Sequence, residues 1–148
     1  MAIDLSREGM NQGIGGPFGC VIVKGEEVVG KGCNSVASLN DPTAHAEVVA
    51  IRDACKNLQT FQLTGCEVFT SCEPCPMCLG AIYWARPDKV YFAATRHDAA
   101  DAGFDDSMIY RELGCAMEER KISMLNIGQQ EAVKVFEEWK TKPNKVAY

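Results

Sequence analysis

Two short stretches of this chain carry residue types that can do chemistry together. Pro42-Thr43-Ala44-His45-Ala46-Glu47 offers an imidazole and, two residues on, a carboxylate; Cys72-Glu73-Pro74-Cys75-Pro76-Met77-Cys78 offers, just after a proline, two thiols three residues apart. Imidazole nitrogen and thiolate sulfur are donors that zinc takes readily, and one His with two Cys leaves the fourth tetrahedral position for a water. Glu47 is then free to move that water's protons instead of holding metal. Zinc lowers the pKa of a bound water from about 15.7 to about 7, which supplies a nucleophile at neutral pH. Such a nucleophile can attack an amidine-like ring carbon bearing an exocyclic amino group. Glu47 would pass the proton to a ring nitrogen, and a second proton must reach the departing amine. A shuttle of this kind contributes about 10²- to 10⁴-fold in rate.

The competing reading is a closed structural knuckle that uses His45, Cys72, Cys75 and Cys78, a Cys₃His set. The protein would then be a binding module, with Glu47 an ordinary acid at a helix N-terminus. Cys72 falls at the end of an expected strand while Cys75 and Cys78 begin a helix, which favours three ligands over four. The pattern H-x-E…P-C-x-x-C is also that of zinc-dependent nucleobase deaminases. Cys20, Cys33, Cys55, Cys66 and Cys115 lie in apolar stretches and read as small core residues.

The elements that must position these groups follow from periodicity. Residues 1–12 read as a short amphipathic helix closed by Gly13. Residues 18–23 are a continuous apolar run, hence a buried strand, and 28–34 return as the second strand of a hairpin. Residues 35–42 read as polar loop, and Thr43 as the N-cap of a helix to about Leu58. The apolar face of that helix is Val48, Ile51, Cys55 and Leu58. A third strand at 66–70 leads to the Cys72-Glu73-Pro74 elbow. Pro76 suits the first turn of the next helix, whose positive end lowers thiol pKa values. Arg86-Pro87-Asp88 ends that helix before a fourth strand at 89–94. Residues 98–106 are acidic with small side chains, 107–113 a short helix, 121–127 a fifth strand and 130–140 a helix, and 141–148 form a tail. Strands alternating with helices after a hairpin predict a single α/β domain, a three-layer α/β/α sandwich on a five-stranded mixed sheet.

Composition narrows the function classes. At 148 residues one domain is expected, with a net charge of −5 that argues against a nucleic-acid-binding surface. No apolar run approaches the roughly 18 residues of a membrane span. The charged N-terminal segment lacks a signal-peptide core, so the eight cysteines read as thiols in a reducing, cytoplasmic setting.

Over nearly its full length the chain resembles the bacterial guanine deaminases of the cytidine-deaminase-like superfamily. The resemblance rests on residues 13–19, 40–47 and 70–85 and on Asp98-Ala99-Ala100-Asp101-Ala102-Gly103-Phe104-Asp105-Asp106. The zinc core belongs to the whole superfamily; the Gly103-Phe104-Asp105-Asp106 segment and Tyr148 are more particular to guanine deaminases. The resemblance implies one zinc per chain on His45, Cys75 and Cys78, with Glu47 as the main proton shuttle and Asp106 as a second acid serving the leaving ammonia. It implies a purine pocket with Asn34 reading the base edge, Phe18 and Trp84 as walls, and Ala46 beside the base. It further implies a homodimer in which residues 141–148 are exchanged so that Tyr148 covers the partner's site. Guanine, water, xanthine and ammonia are then the reaction partners. The alternative enzyme, a tRNA adenosine deaminase, shares the zinc core but needs a basic face, and here only Lys140, Lys142 and Lys145 cluster. Cytosine, other aminopurines, pterins and nucleosides are the remaining substrate classes.

Overall fold

The apolar run after Pro17 lacks helical period and forms strand β1 (Gly19–Lys24), which turns through Gly25 into β2 (Glu27–Cys33). These strands pair antiparallel, and β1 pairs antiparallel on its other edge with β3 (Cys66–Cys72). β3 is joined by helix α4 (Pro76–Ala85) to β4 (Lys89–Ala94), which lies parallel to it, the ordinary outcome of a β–α–β crossover. The computed structural model describes residues 1–147. Among them the sheet has four strands in the order β2-β1-β3-β4, mixed as expected but one strand short of five.

Helices cover both faces of this sheet. Helix α1 (Ala2–Asn11) packs on the face of Gly19, where an added β-carbon would come 2.3 Å from the Ala2 carbonyl oxygen. A one-turn helix α2 (Val36–Leu39), within the expected polar loop, precedes α3 (Ala46–Leu58) on the opposite face. The register sets Cys20 opposite Gly32, so Cys20 and Ile22 point toward α3 and form the core with Ala50, Ala54, Leu63 and Val68.

The inward face of α3 differs from the expected one. Ala46, Glu47, Ala50 and Ala54 are buried, while Ile51, Cys55 and Leu58 are only partly covered. The cause lies on the strand: a β-carbon on Gly30 would meet the Ala50 carbonyl oxygen at 2.6 Å. Glycine on β2 and alanine on α3 let the two backbones approach closely, and a branched residue at either position would hold them apart. Thr43 is likewise not the cap. Its hydroxyl and N–H both donate to Asp41 Oδ1, at 2.7 and 2.8 Å, and His45 takes the N-cap position with extended backbone.

The chain divides into two compact units, Met1–Ile109 and the residues from Tyr110 on. The first ends with α5 (Arg96–Asp101) and the start of α6 (Ser107–Gly114). Helix α5 overlaps the acidic stretch at 98–106, to which no element was assigned from sequence, and a capping box starts it: Thr95 Oγ1 accepts from Asp98 N–H and the Asp98 carboxylate accepts from Thr95 N–H. The second unit holds a 3₁₀ turn at Met117–Glu119 and α7 (Gln129–Thr141). The expected fifth strand at 121–127 is irregular backbone there. Apolar residues in that segment suggested a strand, but a strand also requires a neighbouring ladder for its N–H and C=O groups. Ile122, Leu125 and Ile127 are 80%, 81% and 87% exposed. No helix among the described residues is long and apolar enough to cross a membrane.

Candidate metal centre and active-site cavity

Two helix starts carry the metal-binding groups. His45 caps α3 with φ −69° and ψ 154°, and its carbonyl accepts the first helical bond from Val49 N–H at 2.9 Å. Cys75 caps α4 with φ −65° and ψ 168°, its carbonyl accepts from Leu79 N–H at 2.8 Å, and Pro76 occupies the first helical position. Cys78, one turn into α4, is buried. The helix expected to be capped by Thr43 thus starts two residues later: the imidazole is set by the cap, not by the helical face.

His45 Nδ1 lies 3.6 Å from Cys75 Sγ and 3.5 Å from Cys78 Sγ. Zinc–nitrogen and zinc–sulfur bonds of about 2.05 and 2.3 Å in a tetrahedron require an N···S separation of roughly 3.6 Å. His45, Cys75 and Cys78 therefore fit zinc without rearrangement, and their ligand atoms all lie within 4.8 Å of one another. Cys72, the fourth donor of a closed knuckle, is not part of this group; its thiol donates to the Thr95 carbonyl at 3.5 Å.

The titration of the three ligands reflects their proximity. The hydrogen bond from Cys78, reinforced by His45, holds the Cys75 thiol well below its usual range. That same bond to Cys75 pushes Cys78 up, with burial and the Glu47 carboxylate adding to it. His45 is raised by its hydrogen bond to Cys75. A low-pKa thiolate at a helix N-terminus is a ready metal ligand.

Glu47 is 5% exposed and sits on the cavity side of the ligands. Its Oε1 accepts from the Thr70 hydroxyl at 2.8 Å and its Oε2 from the Cys78 thiol at 3.3 Å. The cavity beside it measures about 110 Å³ and is lined by Phe18, Asn34, His45, Glu47, Cys75 and Asp106 among others. Asn34 Oδ1 accepts from Gly16 N–H at 3.2 Å and Val36 N–H at 3.4 Å, which fixes the amide and leaves its NH₂ as the donor edge. Phe18 meets Phe104 edge-to-face, with ring centroids 4.9 Å apart and planes at 88°. The Asp106 carboxyl is raised by burial and by nearby Cys75, and the neighbouring Asp105 carboxylate accepts from Ser107 N–H at 2.9 Å.

Ala46 is fully buried between His45 and Glu47 but does not line the cavity, and Trp84, 65% exposed on α4, does not reach it. Tyr148 lies outside the described residues. Cys72, Glu73, Arg96, Ala99 and Phe104 line the cavity without having been singled out for it from sequence. The Glu73 carboxylate accepts from Arg96 N–H at 3.1 Å and so pins the start of α5 to the rim. The Thr95-x-x-Asp98 box was the available signal for that helix.

A histidine and two cysteines fitted for zinc, with a separate buried carboxylate facing an adjoining cavity, make a site suited to zinc-activated hydrolysis. The model of the cytidine and deoxycytidylate deaminase zinc-binding region matches residues 1–94, and the chain belongs to that family. It is 55% identical to the guanine deaminase of Bacillus subtilis across 99% of this chain and 94% of that protein. The crystal structure of that enzyme superposes with a TM-score of 0.97, again over 99% and 94% of the two chains. A tRNA-specific adenosine deaminase of Aquifex aeolicus is 50% identical over 78 residues, 53% of this chain and 52% of its own. A guanine deaminase of Nitrosomonas europaea superposes with a TM-score of 0.67 at 32% identity, covering 70% of this chain and 60% of that one.

Proposed function

We propose that this protein hydrolyses guanine and water to xanthine and ammonia, the attack falling on the ring carbon that carries the 2-amino group. The observation that carries the reading is the match to the Bacillus subtilis guanine deaminase, which runs through 99% of the chain and so through both of its units. The match to the tRNA-specific adenosine deaminase of Aquifex aeolicus covers 53%. The net charge of −5 also speaks against an RNA substrate, because phosphate contacts dominate nucleic-acid affinity. On this reading the 148 residues act as one functional domain.

Zinc held by His45, Cys75 and Cys78 supplies a Lewis acid that makes water nucleophilic near neutral pH. The chain's own groups do the rest. Glu47 takes the proton of the attacking water and delivers it to the adjacent ring nitrogen. Asp106, whose partly buried carboxyl is raised above its usual range by desolvation and by nearby Cys75, serves the departing ammonia. Phe18 and Phe104 make the apolar wall for a flat base, and the Asn34 amide offers a donor to its polar edge. Ammonia release from a panel of free bases and nucleosides tests the assignment.

We read the working form as a homodimer in which Tyr148 covers the partner's site. Support comes from the resemblance to guanine deaminases and from apolar surface beyond Tyr110, where Val135 and Phe136 on α7 are exposed. The eight free cysteines support a reducing, cytoplasmic setting.

A further inference from the structure

Strand β3 directs Cys66, Val68, Thr70 and Cys72 to one face of the sheet, and the first two of these are fully buried in the core beneath α3. Thr70 continues that column at 4% exposure, paired in register with Cys20 on one side and Phe92 on the other. Valine has the same shape and would fill this place without a polar atom. A buried hydroxyl costs free energy unless it is hydrogen-bonded, so its presence here needs a reason. The reason on display is Glu47: the Thr70 hydroxyl donates to Oε1 at 2.8 Å, across 23 residues of sequence.

We infer that Thr70 is the positioning residue of the proton shuttle, gripping Oε1 of Glu47 so that Oε2 alone swings between water and base. The inference rests on the deaminase reading, in which Glu47 carries protons. The second hydrogen bond to Glu47 comes from the Cys78 thiol at 3.3 Å. A zinc-ligating cysteine is a thiolate and has no proton to give. Thr70 is therefore the donor that persists when metal is held. A carboxylate left without it could rotate, and a shuttle that must meet two different atoms in turn is sensitive to small misplacement.

The test compares Thr70→Val, which keeps shape and loses the hydroxyl, with Thr70→Ser, which keeps the hydroxyl. Thr70→Val should lower kcat by about 10- to 100-fold, the usual cost of removing a group that orients a reacting residue. KM for guanine, affinity for xanthine and bound zinc should stay as in the wild type. Thr70→Ser should recover kcat to within about threefold, and Thr70→Val added to Glu47→Gln should cost nothing further, because both act through one group. If Thr70→Val does not fold, Thr70→Ala takes its place with the same expected loss and the same rescue by serine. A hydroxyl-free variant at the wild-type rate overturns the inference. So does a Thr70→Ser variant as slow as Thr70→Val, or a Thr70→Val effect that persists in full on Glu47→Gln. A wild-type protein that releases no ammonia from guanine is a separate result, and it removes the parent reading.

Discussion

Gly32 on β2 lies directly against Ala46 on α3: a β-carbon at Gly32 would stand 2.3 Å from the Ala46 carbonyl oxygen and 2.6 Å from Ala50 N. Ala46 is flanked by His45 and Glu47, so this contact sets the height of both the metal ligand and the shuttle above the sheet. The small side chains along β2 and α3 are thus part of the catalytic geometry and not only of the core.

Gly32→Ala should therefore act on stability and metal together. Backbone atoms of α3 cannot yield without moving the helix, and overpacking of this kind costs about 1–3 kcal/mol. Denaturant unfolding should show that loss, and zinc titration should show weaker binding as His45 is displaced. Wild-type values for both would mean that the sheet and helix can separate freely at this point.

Zinc binding should depend on pH through the ligands' own protons. Its hydrogen bond to Cys75 raises His45 above 6.5 in the metal-free protein. The stability contributed by that pair is complete below 6.5 and is lost as pH rises through the higher folded value. Zinc needs the neutral imidazole, so its apparent affinity should fall as pH drops through that same raised value. The raised Cys78 thiol adds a proton that metal must displace. Titrations at about pH 6 and about pH 8 should differ in affinity and show proton release. Equal affinities without proton release would contradict this ligand set. Cys78→Ala should lose the metal, since two protein ligands compete poorly with cellular scavengers.

Glu47→Gln keeps the size of the side chain and accepts the Thr70 hydroxyl, yet cannot carry protons. It should hold zinc and bind guanine while turnover falls by at least about 10²-fold. A fall of only a few-fold would move the shuttle elsewhere.

The metal centre was legible in the sequence because zinc chemistry constrains residue type and local spacing: His45 to Glu47, and Cys75 to Cys78. The strands at 19–24, 27–33, 66–72 and 89–94 were legible for a similar reason, since their apolar runs are local. What escaped was decided at long range. The inward face of α3 follows from Gly30 and Gly32, which no helical periodicity within 46–58 reveals. Thr70 and Arg96 reach the site through tertiary contacts, and the segment at 121–127 has apolar residues but no ladder partner among the described residues.

On the proposed exchange of the tail, deleting residues 145–148 should leave zinc content and the fold of the first unit unchanged while slowing guanine turnover by at least about tenfold, because a site deprived of a cover would position substrate poorly. Full turnover by the shortened protein would remove Tyr148 from the site.

The central claim meets its most direct test in initial rates of ammonia release by zinc-loaded protein from guanine, adenine, cytosine and adenosine in an RNA hairpin. Guanine should be preferred in kcat/KM by at least about 10²-fold over adenine, since polar groups set for a keto edge are left unpaired by an amino edge. The product should be xanthine, and removal of zinc should abolish the reaction. Faster release from adenine or from the RNA hairpin, or an undiminished rate in zinc-free protein, would contradict the account.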